Sequence, residues 1–236
     1  QAQVPLHLIN ARNDTPAYAE YLASLMSEPG LKNAAHLGLR TLLQEWMNHP
    51  ASLTGQVAVL TSPHTVPVSG LFVVPAEAFY VIRAKEATED PEGQLAAHRA
   101  AWLQRGAFHE DQFVKGDAGQ FQYQFVQRWS SRLANDLGVA LDDQKQPELA
   151  RQAYEQALAF WPDNISATLN LLAQAQREGD VEQEGALTAR IKFQTERRPE
   201  GVNPAFFRQV SGEVRNPLLS FEAGSQLIRA GQREDA

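Results

Sequence analysis

The chain has 236 residues, 43% hydrophobic and 21% charged, which is ordinary for a globular protein able to bury one large core or two small ones. Its formal charge is −7, and its densest basic run, Arg190, Lys192, Arg197 and Arg198, reads as a solvated helix face, so nucleic acid is not an expected partner. No stretch reaches the roughly 20 apolar residues of a membrane-spanning helix, and the absence of cysteine removes disulfides, thiolate nucleophiles and cysteine-ligated zinc.

In chain order, Asp14-Thr15-Pro16 is a helix start, and Tyr18, Tyr21, Leu22 and Leu25 follow at helical spacing up to Ser27. Leu31, Ala35, Leu39, Leu42, Leu43 and Trp46 predict a second amphipathic helix from Leu31 to Asn48, ended by His49-Pro50. The period then changes. Gln56 to Thr61, Leu71 to Val74 and Phe79 to Arg83 are short β-branched and aromatic runs between proline and glycine clusters, and they read as strands of a small sheet. Asp90-Pro91 opens another helix, with Leu95, His98, Trp102 and Leu103 on its apolar side, ending near Arg105-Gly106. The polar stretch from Ala107 to Gly119 marks a domain boundary, and Gln120 to Ala140 begins a long helical pattern.

From Ala134 the sequence runs Ala134, Leu137, Gly138, Leu141, then Ala150, Tyr154, Ala157 and Pro162. Small residues at 138, 150 and 157 let two antiparallel helices approach, while Leu137, Leu141 and Tyr154 fill the layer between them. This stretch resembles the tetratricopeptide (TPR) repeat, whose pattern is W-x2-L-G-x2-Y, then A-x3-F, then P. Leu137-Gly138 matches outright, Ala150 and Tyr154 match with an allowed aromatic, and Pro162 falls where the repeat ends. The chain departs from the pattern at Ala134, where the large aromatic is missing, and at Leu141 in place of tyrosine.

One period later, Ile165, Ala167, Leu169, Leu171, Leu172 and Ala175 lead to a Gly179-Asp180 turn, and Val181 to Arg197 supplies a partner helix that lacks the expected small residues, giving a degenerate repeat. Leu218 to Gly231 resembles a further first helix, with Gly231 lying 52 positions after Gly179, about 18 more than one period. That excess holds Pro199, Pro204 and a short helix from Ala205 to Val210. The expected fold is mainly α with a small mixed part. An N-terminal α/β or α+β domain (1–118) precedes a helical TPR-type solenoid of about two and a half repeats (119–236) that ends inside a repeat.

The resemblance implies a function in holding a protein or peptide partner, with no catalysis, metal or cofactor. It places the binding surface on the first helix of each repeat: Arg132, Asn135, Val139 and Asp142 from one, and Ser166, Leu169, Asn170, Ala173 and Arg177 from the next. Some TPR proteins clamp a C-terminal carboxylate there. Asn170 suits such a clamp, but Asn135 and Val139 stand where lysine and asparagine would be needed. The competing structural expectation is that this face covers the N-terminal half or an adjoining repeat.

Phosphate-loop, dinucleotide, nucleophile-elbow and H-E-x-x-H patterns are absent. His98 with His109, Glu110 and Asp111 is weighed as a metal set against the plainer reading of a helix residue and an exposed loop. The loop Ser62 to Pro67 is weighed as a binding loop against a simple connection, and Asn13 and Asn164 as glycosylation acceptors against helix caps. Two alternative functions stand beside the adaptor. The start at Gln1 and the final half-repeat suit the accessory tail of a larger, membrane-embedded enzyme, in an extracytoplasmic or membrane-adjacent setting. His64, Glu77 and His98 would be the candidates if the N-terminal half were a small enzyme or ligand-binding domain.

Overall fold

The computed structural model describes residues 15–48, 58–59, 72–76, 79–83, 90–106, 117–197 and 204–215. Helix accounts for 81% of these residues, so the protein is mainly α. In chain order the elements are α1 (Pro16–Leu25), α2 (Pro29–His36), α3 (Leu39–Asn48), β1 (Ala58–Val59), β2 (Phe72–Pro75) and β3 (Tyr80–Arg83). They continue with α4 (Pro91–Gly106), α5 (Asp117–Asp143), α6 (Pro147–Phe160), α7 (Ile165–Glu178), α8 (Val181–Glu196) and α9 (Pro204–Ser211).

The chain divides into two compact units. One comprises Gln1–Val59, Pro63–Val73 and Val81–Glu86, the other Leu60–Ser62, Val74–Tyr80 and Ala87–Ala236. In the first, Thr15 caps α1 by accepting from the Tyr18 amide at 3.3 Å, with Pro16 set at the first helical position. The single helix expected from Leu31 to Asn48 is two. Gly38 takes φ +104°, a left-handed conformation that costs glycine nothing and ends α2 before α3 begins. Leu22, Ala23, Leu31, Ala35 and Leu42 form the buried centre of these three helices, with Tyr18, Leu39 and Trp46 around it. The three strands make one sheet in the order β1-β3-β2. Four residues join β2 to β3, too few for a parallel crossover, so the two run antiparallel.

In the second unit, α5 to α8 form two successive antiparallel helix pairs. Each turn between them has a local cause. Lys145 adopts φ 63° after α5, and Pro147 starts α6. Asn164 caps α7, its Oδ1 accepting from the Ala167 amide at 2.9 Å, which makes this side chain the helix cap that the sequence suggested. Gly179 ends α7 at φ 72°, and Asp180 caps α8 through the Gln183 amide at 3.0 Å. The core of the pairs is Leu137, Leu141, Ala150, Ala153, Tyr154, Ala157, Ala167, Leu171, Ala175 and Leu187.

Close approach of α5 and α6 depends on Gly138. A Cβ there would lie 2.4 Å from Cε1 and 2.6 Å from Cδ1 of Tyr154, so the tyrosine ring occupies the space a side chain would need. One period on stands Leu172, half-buried, and α8 buries only Leu187 and Gln194 while exposing Val181 and Phe193, so the second pair is the looser one. The Leu218 to Ala236 segment, the Ser62 to Pro67 loop, Asn13, His49, His64, Glu77, and His109 to Asp111 lie outside the described residues.

Gly138→Ala is expected to destabilise the protein by about 1–3 kcal/mol, because overpacking against Tyr154 outweighs the roughly 1 kcal/mol of helix propensity that alanine adds. Urea unfolding measures it. A second substitution, Tyr154→Leu, should restore part of the loss, and simple additivity of the two changes would show that the ring and the glycine do not meet.

Candidate functional site

The side chains expected on the binding surface lie on α5 and α7, and the chain's own residues 204–215 cover four of them, Arg132, Asn135, Leu169 and Asn170. Asparagine and aspartate are poor residues for a helix interior, where their side chains compete for backbone groups. Yet Asn135 and Asp136 sit in the middle of α5, flanked by the apolar Leu133, Ala134 and Leu137, and Asn170 sits in the middle of α7. All three are buried. Their polar atoms therefore need partners.

Those partners are main-chain groups of the irregular segment, residues 212–215, that follows α9. The Glu213 carbonyl accepts from Asn135 Nδ2 at 2.9 Å and from Asn170 Nδ2 at 3.0 Å. The Glu213 amide donates to Asp136 Oδ1 at 2.7 Å, and the Arg215 amide donates to Asn170 Oδ1 at 2.7 Å. Asn170 Nδ2 also donates to Asn135 Oδ1 at 3.0 Å, tying the two helices together. Just before this, Arg132 Nη1 donates to the Gln209 carbonyl at 2.7 Å, and Asn164 Nδ2 donates to the Ser211 carbonyl at 3.1 Å and to Ser131 Oγ at 2.9 Å. Gly212 makes the approach possible. At φ +95° its missing Cβ would stand 2.3 Å from Asp136 Oδ1 and 2.7 Å from Asn135 Nδ2.

The remaining expected residues are distributed around this grip. Leu169 joins Ile165, Phe207 and Val214 in a small apolar cluster. Val139 belongs instead to the core between the helix pairs. Asp142 and the exposed Arg177 form an ion pair, Nη2 lying 3.0 and 2.9 Å from the two carboxylate oxygens. Ser166 and Ala173 are buried.

Outside the covering segment, Asp136, Tyr80 and Asp143 were not singled out from sequence, and neither were Gly212 to Arg215 within it. The Tyr80 hydroxyl donates to Asp136 Oδ2, and its ring packs edge-on against Trp129 with centroids 5.7 Å apart. Arg132 lies close, its Nε 3.8 Å from Asp136 Oδ2. Asp143 pairs with Arg215 at 2.7 Å. The one local signal was the Asn135-Asp136 pair inside an apolar helical run; Tyr80 and Gly212 come from far along the chain and leave no local trace. Burial raises the Asp136 carboxyl above the ordinary carboxylate range, against the opposing pull of Arg132 and its donors, and pushes the Tyr80 hydroxyl well up, helped by the Asp136 carboxylate.

His98 is buried with Nε2 3.3 Å from the Pro75 carbonyl, and no group of three or more metal-ligating side chains occurs among the described residues. Among the same residues no helix is long and apolar enough to cross a membrane. No protein-family model, no curated protein and no solved structure matches the chain.

Asn170→Ala should cost about 2 kcal/mol or more, since it strips the Arg215 amide and Asn135 Oδ1 of partners at once; denaturant unfolding monitored by circular dichroism reads this. A pH dependence follows from Asp136. Its raised folded-state pKa means that the native protein takes up a proton before the unfolded chain does, so this group adds stability as pH falls from 7 towards about 4. The native protein should accordingly gain on Asp136→Asn over that interval. A margin that shrinks instead would mean that Arg132 holds the carboxylate charged.

Proposed function

We propose that the chain is a non-catalytic protein-interaction module of the TPR type, an N-terminal mixed domain followed by a helical solenoid of about two and a half repeats. It holds an extended polypeptide against the face of α5 and α7. One observation carries this most directly: Asn135, Asp136 and Asn170 grip the backbone of residues 213–215 through its amides and carbonyl. Main-chain hydrogen bonds give affinity to an extended segment whatever its sequence, and pockets for individual side chains add selectivity. Also in favour are the Leu137-Gly138 match, the packing of Tyr154 on that glycine, and the two successive antiparallel helix pairs.

Arg177 is the test position, because it is exposed beside the face and an added group there leaves the grip intact. A photo-crosslinking amino acid at Arg177 should capture a discrete partner in cells of the source organism, while the same group at Lys192 on the exposed side of α8 should not. Capture from Lys192 alone would place the interaction elsewhere and overturn the groove.

A further inference from the structure

Resting on the adaptor function above, we propose that residues 204–215 are a built-in ligand of this face, and that the partner which replaces them carries an extended glycine-any-aliphatic-basic segment. The partner's chemistry is read from the present occupant. Gly212 meets Asn135 and Asp136 where no Cβ fits. Val214 is buried in the apolar cluster with Ile165, Leu169 and Phe207. Arg215 reaches Asp143 through Nε at 3.2 Å and Nη2 at 2.7 Å. Glu213 gives the face its amide and carbonyl, and its carboxylate pairs with Arg208 of the same segment, so among the described residues no α5 or α7 side chain fixes the residue between the glycine and the aliphatic one by an ion pair.

The contacts are of a kind that another chain can reproduce. Five main-chain groups, the carbonyls of Gln209, Ser211 and Glu213 and the amides of Glu213 and Arg215, meet α5 and α7 side chains or the Asn164 cap. An extended polypeptide offers the Glu213 amide and carbonyl and the Arg215 amide at the same spacing, while the Gln209 and Ser211 carbonyls are those of the last turn of α9. The ion pair that fastens the segment to the face, Arg215 with Asp143, has both members about half exposed, so water and salt compete with it, and the Arg208–Glu213 pair lies within the segment. The receptor half of the site is independent of the occupant: Asn135 and Asn170 are held to each other, and Asp136 is held by Tyr80. Removing the occupant leaves a polar row that needs another backbone.

A fluorescent peptide of residues 204–215, followed by anisotropy, tests this on the full chain. The native protein, whose own segment competes, should bind it at least tenfold more weakly than Gly212→Val, which cannot seat its segment. A peptide carrying the same Gly212→Val change, and one of scrambled order, should not bind. Binding by Gly212→Val should disappear when Asn135→Ala and Asn170→Ala are added. If Gly212→Val fails to fold, Arg215→Glu, placed at the half-exposed Asp143 pair, serves in its place with a smaller increase.

Hydrogen exchange on the native protein needs no variant: the Glu213 and Arg215 amides should exchange at least tenfold faster than those of Leu137 and Leu171, through opening of the segment alone. Equal protection, or a folded released variant that ignores the peptide or takes the scrambled one equally, overturns the proposal. Failure of the adaptor function would look different: peptide binding with no partner captured at Arg177. A captured partner that the peptide does not displace would keep the adaptor and sink the built-in ligand.

Discussion

Buried amides and carboxylates on helices have to be met by hydrogen-bonding groups, and in this protein that requirement shapes the second unit. Asn135, Asp136 and Asn170 carry several donors and acceptors into a region from which water is excluded. A helix cannot satisfy them, since its own backbone groups are already paired, and a second helix packed alongside would present apolar side chains. An extended segment can, because its amides and carbonyls point outward. The irregular run after α9 therefore lies where an amphipathic helix would otherwise be expected. It makes α7 a helix buried on nearly every side, with core contacts towards α6 and α8 and polar contacts towards residues 211–215.

The two faces of α5 use different physics. Towards α6, Leu137, Gly138 and Leu141 meet Tyr154 and small alanines, and shape complementarity decides how close the helices come. Towards residues 209–215, Arg132, Asn135 and Asp136 act through directed hydrogen bonds, and geometry rather than volume sets the register. A 27-residue helix serving both purposes has to keep its polar and apolar rows in phase for its whole length. Tyr80 reinforces the polar side from outside the helix pairs, placing its hydroxyl on the same carboxylate that receives the Glu213 amide.

Most helices were legible because their ends are written in local chemistry. Proline at the first position of α1, α4 and α6, the Asn164 and Asp180 caps and the left-handed Gly179 each act within one turn of the residue concerned. The break at Gly38 was missed because the apolar spacing of Leu31 to Trp46 runs through it, and only the backbone angle reveals the interruption. For the candidate site, the repeat resemblance, counted along the matched helices, brought Arg132, Asn135, Leu169 and Asn170 to the surface that residues 204–215 cover. That count did not show what covers them. Contacts between Asp136 and Tyr80, or between Asn135 and Glu213, join residues 56 and 78 positions apart, and nothing in a local pattern encodes such a pairing. Val139 shows the opposite limit: it fits the helical count yet belongs to the core, because the boundary between two faces of one helix falls within a single residue step.

Holding a strand by its main chain makes its side chains unequal over evolutionary time. Glu213 engages the face through its amide and carbonyl while its side chain turns to Arg208 of the same segment at 3.7 Å, so its identity answers to the segment rather than to the helices. Gly212 answers to the helices, since any side chain would collide with Asn135 and Asp136 and would have to tolerate a left-handed backbone. Lineages of this protein would therefore hold fast at a residue that carries no chemistry of its own.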